Sequence, residues 1–482
     1  MKTIRKRIAL LTAALLVFSL CACGNSTTAA AASSDINTAA AQTTVSAQTT
    51  AASGDENRMP GSGENGFPGQ PPEGTPPGDP PDGFGGGPGG TPPEGGPGGT
   101  PPGDPPEGFG GGQGGTPPGG FGGGPGGPGG PGGSSADIDY QGAVEIIGAD
   151  SQSGQSYVST ASDESALLIS TSDKVTITDP TVTKSGDSDG GDSCNFYGLN
   201  AAVLVKDGAS ATITGGTVSS DADGANGVFC YGGNGGRNGA DGDGTTLTIR
   251  GTTIVTTGDG SGGIMTTGGG VTYAYDLDVT TSGRSSAPIR TDRGGGTVTV
   301  DGGTYTSNGL GSPAIYSTAD ITVSNATLTS NLSEGVCIEG LNSITLNDCD
   351  LTANNTKRNS NATFLDTIMI YQSMSGDAAS GTSHFTMTGG SLTSKSGHVF
   401  HVTNTNAVIT LEGVKIVNED ADNILLSVCA DGWSGGSNVA ELKAIAQQLS
   451  GAVKVGSDSS LTLALTDGST FEGFIDGSIV NA

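Results

Sequence analysis

The chain has 482 residues, 48 Asp and Glu against 19 Lys and Arg, and a formal charge of −29. So acidic a surface repels nucleic acid and anionic lipid, and neither is expected as a partner. Seven cysteines without CxxC spacing argue against a zinc site or a disulfide framework.

The chain opens on a basic stretch, Met1 to Arg7, followed by the apolar run Ile8 to Leu20. The run is too short to span a membrane and small residues follow it, so it reads as a secretory signal. Leu20-Cys-Ala-Cys23 resembles the lipobox of bacterial lipoproteins, with Cys21 the unusual member. The resemblance implies cleavage after residue 22 and lipidation of Cys23. Removing residues 1–22 takes away four basic residues and leaves 15 against 48 acids, a charge of −33. Of the cysteines beyond Cys23, Cys194, Cys230, Cys337, Cys349 and Cys429 read mostly as small buried hydrophobes, although one pair could be bridged.

Residues 23–58 are rich in Ala, Ser and Thr and cannot bury a core. Residues 59–134 are dominated by Pro and Gly, with Thr75 to Gly87 repeated 25 residues later from Thr100. Without a strict Gly-X-Y period this is not collagen. It reads as a stalk, and with the preceding segment it reaches roughly 50 to 300 Å.

From residue 135 to 482 one phrase recurs. It begins at Val175, Ala211, Leu247, Tyr273, Val298, Ile321, Ile344, Phe385, Ile409 and, frayed, Leu461. Apolar residues at i and i+2 flank Thr, a turn pair follows, and a third apolar residue closes the phrase, which is strand, corner, strand. Starts lie 36, 36, 26, 25, 23, 23, 41, 24 and 52 residues apart, as in a solenoid of about ten β coils with insertions. A second ladder precedes it, including Ala166 to Ile169, Ala202 to Val205, Gly227 to Cys230 and His398 to His401. The whole resembles the right-handed parallel β-helix of pectate-lyase-like proteins, an all-β fold whose handedness also follows from the crossover rule.

Two segments depart from the pattern. Asn438 and Glu441 form a capping-box spacing, and apolar residues at 439, 442, 445, 446 and 449 precede Gly451. This predicts an amphipathic helix over 438–450, covering an open sheet or capping the core. In the second ladder both strand faces are apolar, as at Val203, Leu204 and Val205. Either an insertion, the segment 137–160 or the helix covers the outward row, or the row is a docking strip for a protein partner.

The clearest chemical feature is a set of acidic, Gly-rich loops holding Asp187, Asp189 and Asp192, then Asp221 and Asp223, then Asp241 and Asp243. Oxygen ligands two residues apart in a bending loop suit Ca²⁺, and Asp-Gly pairs equally make solvated turns. A basic and aromatic group comprises Tyr273, Tyr275, Arg284, Arg290, Asp292 and Arg293, with Tyr316 one coil on. Arg forks and Tyr faces suit sugars, while Arg290 and Asp292 could instead form an internal ion pair. Trp433, the one tryptophan, could be a sugar platform or could pack against the predicted helix. Catalysis finds less support. A lyase needs a calcium-carboxylate site beside a basic residue, and here these fall on different coils. Polygalacturonase signatures are missing, and His384, His398 and His401 have no Ser or Cys partner pattern.

The secretion signal, Gly-rich spacer, Thr-rich coils and acidic loops together resemble the β-helical carbohydrate-binding surface proteins of clostridia-like bacteria. That resemblance implies binding of plant or acidic polysaccharide without cleavage; with the lipobox and the stalk, the expectation is a monomer that meets the membrane through its lipid alone and is exposed at the cell surface. The alternatives are a protein-binding adhesin and a calcium-dependent polysaccharide lyase.

Overall fold

The structure, a computed structural model, describes residues 138–235, 241–358, 361–373, 375, 377–433 and 438–481. The signal, Cys23 and the stalk lie outside the described residues. Strands pair in parallel, each with its equivalent one coil away, in one sheet of 13 strands (sheet 1) and one of 21 (sheet 2). The fold is a parallel β-helix. It has three more rungs in sheet 1 than the ten expected: Gln141–Ile146 before the first phrase, and Ile424–Val428 and Thr470–Asp476 near the end.

The recurring phrase is the wall of sheet 2. Its first positions stack in register as Val175, Ala211, Leu247, Thr272, Val298, Ile321, Ile344, Phe385 and Ile409, pointing inward; in the fourth copy Thr272 takes this place and Tyr273, expected there, points outward. The intervening threonines stack outside, where β-branched side chains fit a pleated surface. Sheet 1 sends in Leu167, Val203, Val228, Ile264, Ile289, Ile315 and Val336, and the two inner faces form one continuous core. No coil could bury this face alone, so stability comes from the stack.

The corner of the phrase has one backbone solution. Asp179, Gly215, Gly251, Asp276, Gly302, Asn325, Asp348, Gly389 and Gly413 occupy equivalent positions, and all have left-handed φ. That is why Gly, Asp and Asn alternate there. At Gly215 a Cβ would stand 2.2 Å from Asp179 Oδ1, so the choice of one corner residue limits the next. Ala446, with φ 48°, is the exception in this row. Ala446→Gly should raise the unfolding free energy by about 0.5–1 kcal/mol, the left-handed cost less the extra entropy of glycine. Chemical denaturation of the two proteins would check this.

The helix expected over 438–450 is not formed. The segment makes two strands, Asn438–Ile445 and Gln448–Val455, and so supplies the coil missing from the 52-residue gap. Ala440, Leu442 and Ala444 point inward, and the strand pairs with Asn406–Glu412 on one side and Ser459–Thr466 on the other. A helix would satisfy its own backbone but strand both neighbours' edges, so the parallel ladder overrides the local capping pattern. Asn438 accordingly donates through Nδ2 to Ser459 Oγ (3.1 Å) instead of capping a turn.

The outward apolar row of sheet 1 is covered. Leu168, Leu204, Phe229 and Met265 lie under Phe196 and Tyr197 of the short helix Asp192–Tyr197, with Ile138 and Tyr140 packed alongside. Further along, Tyr316, Cys337, Met369 and Tyr371 are closed off by Trp433, whose ring centroid lies 4.8 Å from that of Tyr371. Trp433 is fully buried, so it is neither an exposed platform nor packed on a helix.

Candidate functional site

The acidic loops are built as a ladder. Asp187 Oδ1 accepts the N–H of Asp223 (2.9 Å), Asp223 Oδ1 that of Asp259 (2.7 Å), and Asp259 Oδ1 that of Arg284 (2.7 Å). Each carboxylate thus ties its turn to the next coil and satisfies a backbone donor. Asp243 Oδ1 closes its own turn on the N–H and hydroxyl of Thr245 (2.9 and 2.6 Å). Asp189, Asp221 and Asp241 are exposed, and Asp192 opens the short helix. Among the described residues, no group of three or more His, Cys, Asp or Glu is placed to hold a metal ion.

A cation is nevertheless present in this corner. Lys184 is fully buried, and Nζ donates to the carbonyls of Ala161 (2.7 Å), Ser185 (2.6 Å) and Gly186 (2.9 Å). The carboxylates of Glu164, Asp163, Asp187 and Asp221 surround it, yet burial outweighs them and lowers the ammonium pKa. In the neighbouring coils the same inward position is Ser159, Ser220 and Thr256.

The basic and aromatic group does not converge on one surface. Tyr273 and Tyr275 face outward from sheet 2; Tyr273 is 38% exposed, and Tyr275 is stacked under Arg250, whose guanidinium carbon lies 3.6 Å from the ring centroid. Arg290, Asp292 and Tyr316 belong to the covered face of sheet 1 and are buried. Arg290 Nη2 donates to Asp292 Oδ2 (2.7 Å) and Nη1 to Asn195 Oδ1 (3.2 Å) and to the carbonyl of Ser285 (2.9 Å). Burial pushes Asp292 up to about 6 despite Arg290. Arg293 stacks on Phe196 and donates to Asp377 Oδ1 through Nη2 (2.6 Å) and Nε (3.0 Å); Arg284 is half-buried.

The buried network continues into Glu339. Its carboxylate accepts from Tyr316 Oη (2.6 Å), Tyr371 Oη (3.4 Å), Ser375 Oγ (3.4 Å) and Ser373 Oγ. Burial raises its pKa even so. These bonds hold the segment that follows Tyr371 onto sheet 1.

That segment shapes two adjoining clefts over the turns that lead from sheet 1 into sheet 2. One, of about 250 Å³, is lined by Thr318, Asp320, Leu341, Asn342 and Asp377 among others. The second, of about 340 Å³, is lined by Gln372, Ser380, Gly381, Asn404, Thr405 and Asn406. Leu341 is 47% exposed although apolar. Gln372 Oε1 is buried with no hydrogen-bond partner among the described residues. The cleft residues carry no sequence motif. They come together because Thr318, Leu341, the connection 372–381 and Thr405 belong to consecutive coils, whose strands stack at about 4.8 Å.

Comparison with protein-family models, with curated proteins and with solved structures returned no match.

Proposed function

We propose that the chain is a lipid-anchored, cell-surface β-helix protein that binds polysaccharide without cleaving it. The observation that carries this reading is the pair of clefts lined by Asn342, Gln372, Asn404 and Asn406 beside the exposed Leu341. A side-chain amide donates and accepts at once, as a sugar hydroxyl does, and an apolar side chain suits the C–H face of a sugar ring. Asp320 and Asp377 line the first cleft, and Arg293 is already paired with Asp377. This favours a neutral plant glycan over an acidic one. Two features favour binding over lyase chemistry. Arg290, the basic residue a lyase reading would use, is buried against Asp292, and Asp187 and Asp223 carry turn-ladder hydrogen bonds. The anchor rests on Leu20 to Cys23 and the reach on the stalk.

Retention on a panel of insoluble and immobilised polysaccharides tests the proposal. At least tenfold weaker retention is expected for the Leu341→Ala, Asn406→Ala double variant, whose positions are exposed enough to leave folding intact. Retention on no glycan would defeat the reading. Unsaturated products that vanish with chelator would replace it by a calcium-dependent lyase.

A further inference from the structure

Outside the clefts, one buried cluster is built unlike the rest of the covered face. The outward row of sheet 1 runs Leu168, Leu204, Phe229, Met265, then Arg290, Tyr316, Cys337 and Met369, and continues in register with His401, Ser427 and Lys454. Covering this face elsewhere takes mainly apolar side chains. Burying His and Ser there costs free energy unless every polar atom is matched.

The matching is specific. Ser427 Oγ lies 2.7 Å from His401 Nδ1 and 2.7 Å from His398 Nδ1. His401 Nε2 lies 3.3 Å from Asp431 Oδ2. Asp431 Oδ1 accepts from Gly432 N–H (2.7 Å), Thr363 N–H (2.8 Å) and Thr363 Oγ (2.5 Å). With so many donors, and beside His401, Asp431 is held below the usual carboxylate range. An ionised Asp431 takes the Nε2–H of His401, so Nδ1 is the free base. It accepts the Ser427 hydroxyl, and His398 Nδ1–H donates to the same oxygen. The hydrogen-bond network thus assigns the tautomers.

We propose that Ser427 is the nucleophile of a hydrolytic site for short-chain carboxylic esters, with His401 as its base and Asp431 as the positioning residue. The arrangement has the roles of a Ser-His-Asp triad with the two imidazole nitrogens exchanged. Ser427 Oγ bonds to the acyl carbon as its proton passes to His401 Nδ1. The tetrahedral oxyanion collapses, the ester C–O bond breaks, and the proton goes to the departing alkoxide. Water then attacks the acyl-serine, His401 again takes and returns a proton, and the carboxylic acid leaves. His398 Nδ1–H, 2.7 Å from Ser427 Oγ, is the side-chain donor placed beside the oxyanion.

Phe364 is the gate. Its ring lies 4.7 Å from that of His398 and 5.2 Å from that of His401, and Ser427 is 1% exposed beneath this cover. Phe364 itself is half-exposed, and Thr363 fastens the segment to Asp431 Oδ1. One carboxylate therefore orients the base and latches the lid. A closed site of this kind suits a small acyl group. The proposal does not depend on the glycan-binding clefts.

Labelling of the full chain with an alkyl fluorophosphonate is the test, read by intact mass and peptide mapping, alongside p-nitrophenyl acetate hydrolysis. In labelling, the Ser427 Oγ–P bond forms as fluoride leaves and His401 takes the proton. One label on Ser427 is expected, with none in Ser427→Ala and at least 100-fold slower labelling in His401→Gln. Asp431→Asn should lower kcat and displace the acid limb of its pH profile, which a purely structural role would not do. Thr363→Val, which loosens the lid without touching His401, should speed labelling. No label in the wild type and in Thr363→Val, or label that survives Ser427→Ala, would overturn the proposal. Should Ser427→Ala not fold, Ser427→Cys keeps the test open. Its thiol should be alkylated in a His401-dependent way, and an inert thiol would count against the site.

Discussion

Replacing Lys184 by methionine should lower the unfolding free energy by about 1–3 kcal/mol, the usual cost of leaving buried acceptors without their donor. Methionine matches the length of the side chain but leaves the carbonyls of Ala161, Ser185 and Gly186 without their donor. It also leaves Glu164, Asp163, Asp187 and Asp221 facing one another without a cation. The turn ladder that starts at Asp187 should loosen with them. Guanidinium denaturation measures the loss, and hydrogen exchange should show it concentrated at the amides of Asp223 and Asp259. A difference below about 1 kcal/mol, the level of an exposed pair, would mean that water replaces the ammonium there.

Stability should also fall steeply in mild acid, by about 2–3 kcal/mol between pH 6.5 and 4, because of His398. Burial, with His401 and Lys454 nearby, lowers this imidazole from 6.5 to about 4. Within that window the unfolded chain binds a proton that the folded chain refuses. The contribution is therefore complete above pH 6.5 and is lost as pH falls towards 4. Asp366 acts with the opposite sign. Burial, and then Glu334 and Asp431, raise its pKa well above the usual value, and neither carboxyl oxygen has a hydrogen-bond partner among the described residues. The unfolded chain ionises this group near pH 3.8 while the fold still holds its proton, so its contribution declines as pH rises. Urea unfolding at several pH values should show His398→Gln flattening the acid limb. Asp366→Asn, which has no proton to lose, should abolish this decline at higher pH. An acid limb unchanged in His398→Gln would place the proton uptake elsewhere.

By itself the sequence determined the scaffold. Apolar residues at i and i+2 around threonine, a Gly, Asp or Asn corner and a spacing of 23–26 residues admit few folds other than stacked β coils, because side-chain period and corner conformation are local properties. Local signals misled where two of them coincided. Over 438–450 the capping spacing and the period-2 row Ala440, Leu442, Ala444 occupy the same residues, and only the neighbouring strands choose between them. Pairing across coils likewise decided what the polar residues do. Along the chain Asp187 and Asp223 suit a metal or a turn alike, and pairing across 36 residues sets each against the amide of the next turn. Arg290 suits either a sugar surface or an ion pair with Asp292 along the chain, and the insertion carrying Phe196 and the loop carrying Trp433, laid over sheet 1, bury it with Tyr316. His401 shows no partner pattern along the chain because Ser427 lies 26 residues away and Asp431 30, separations that become hydrogen-bond contacts only once the coils are in register. A solenoid writes its wall into each repeat. Its sites are written across repeats, in columns that only the stacked structure aligns.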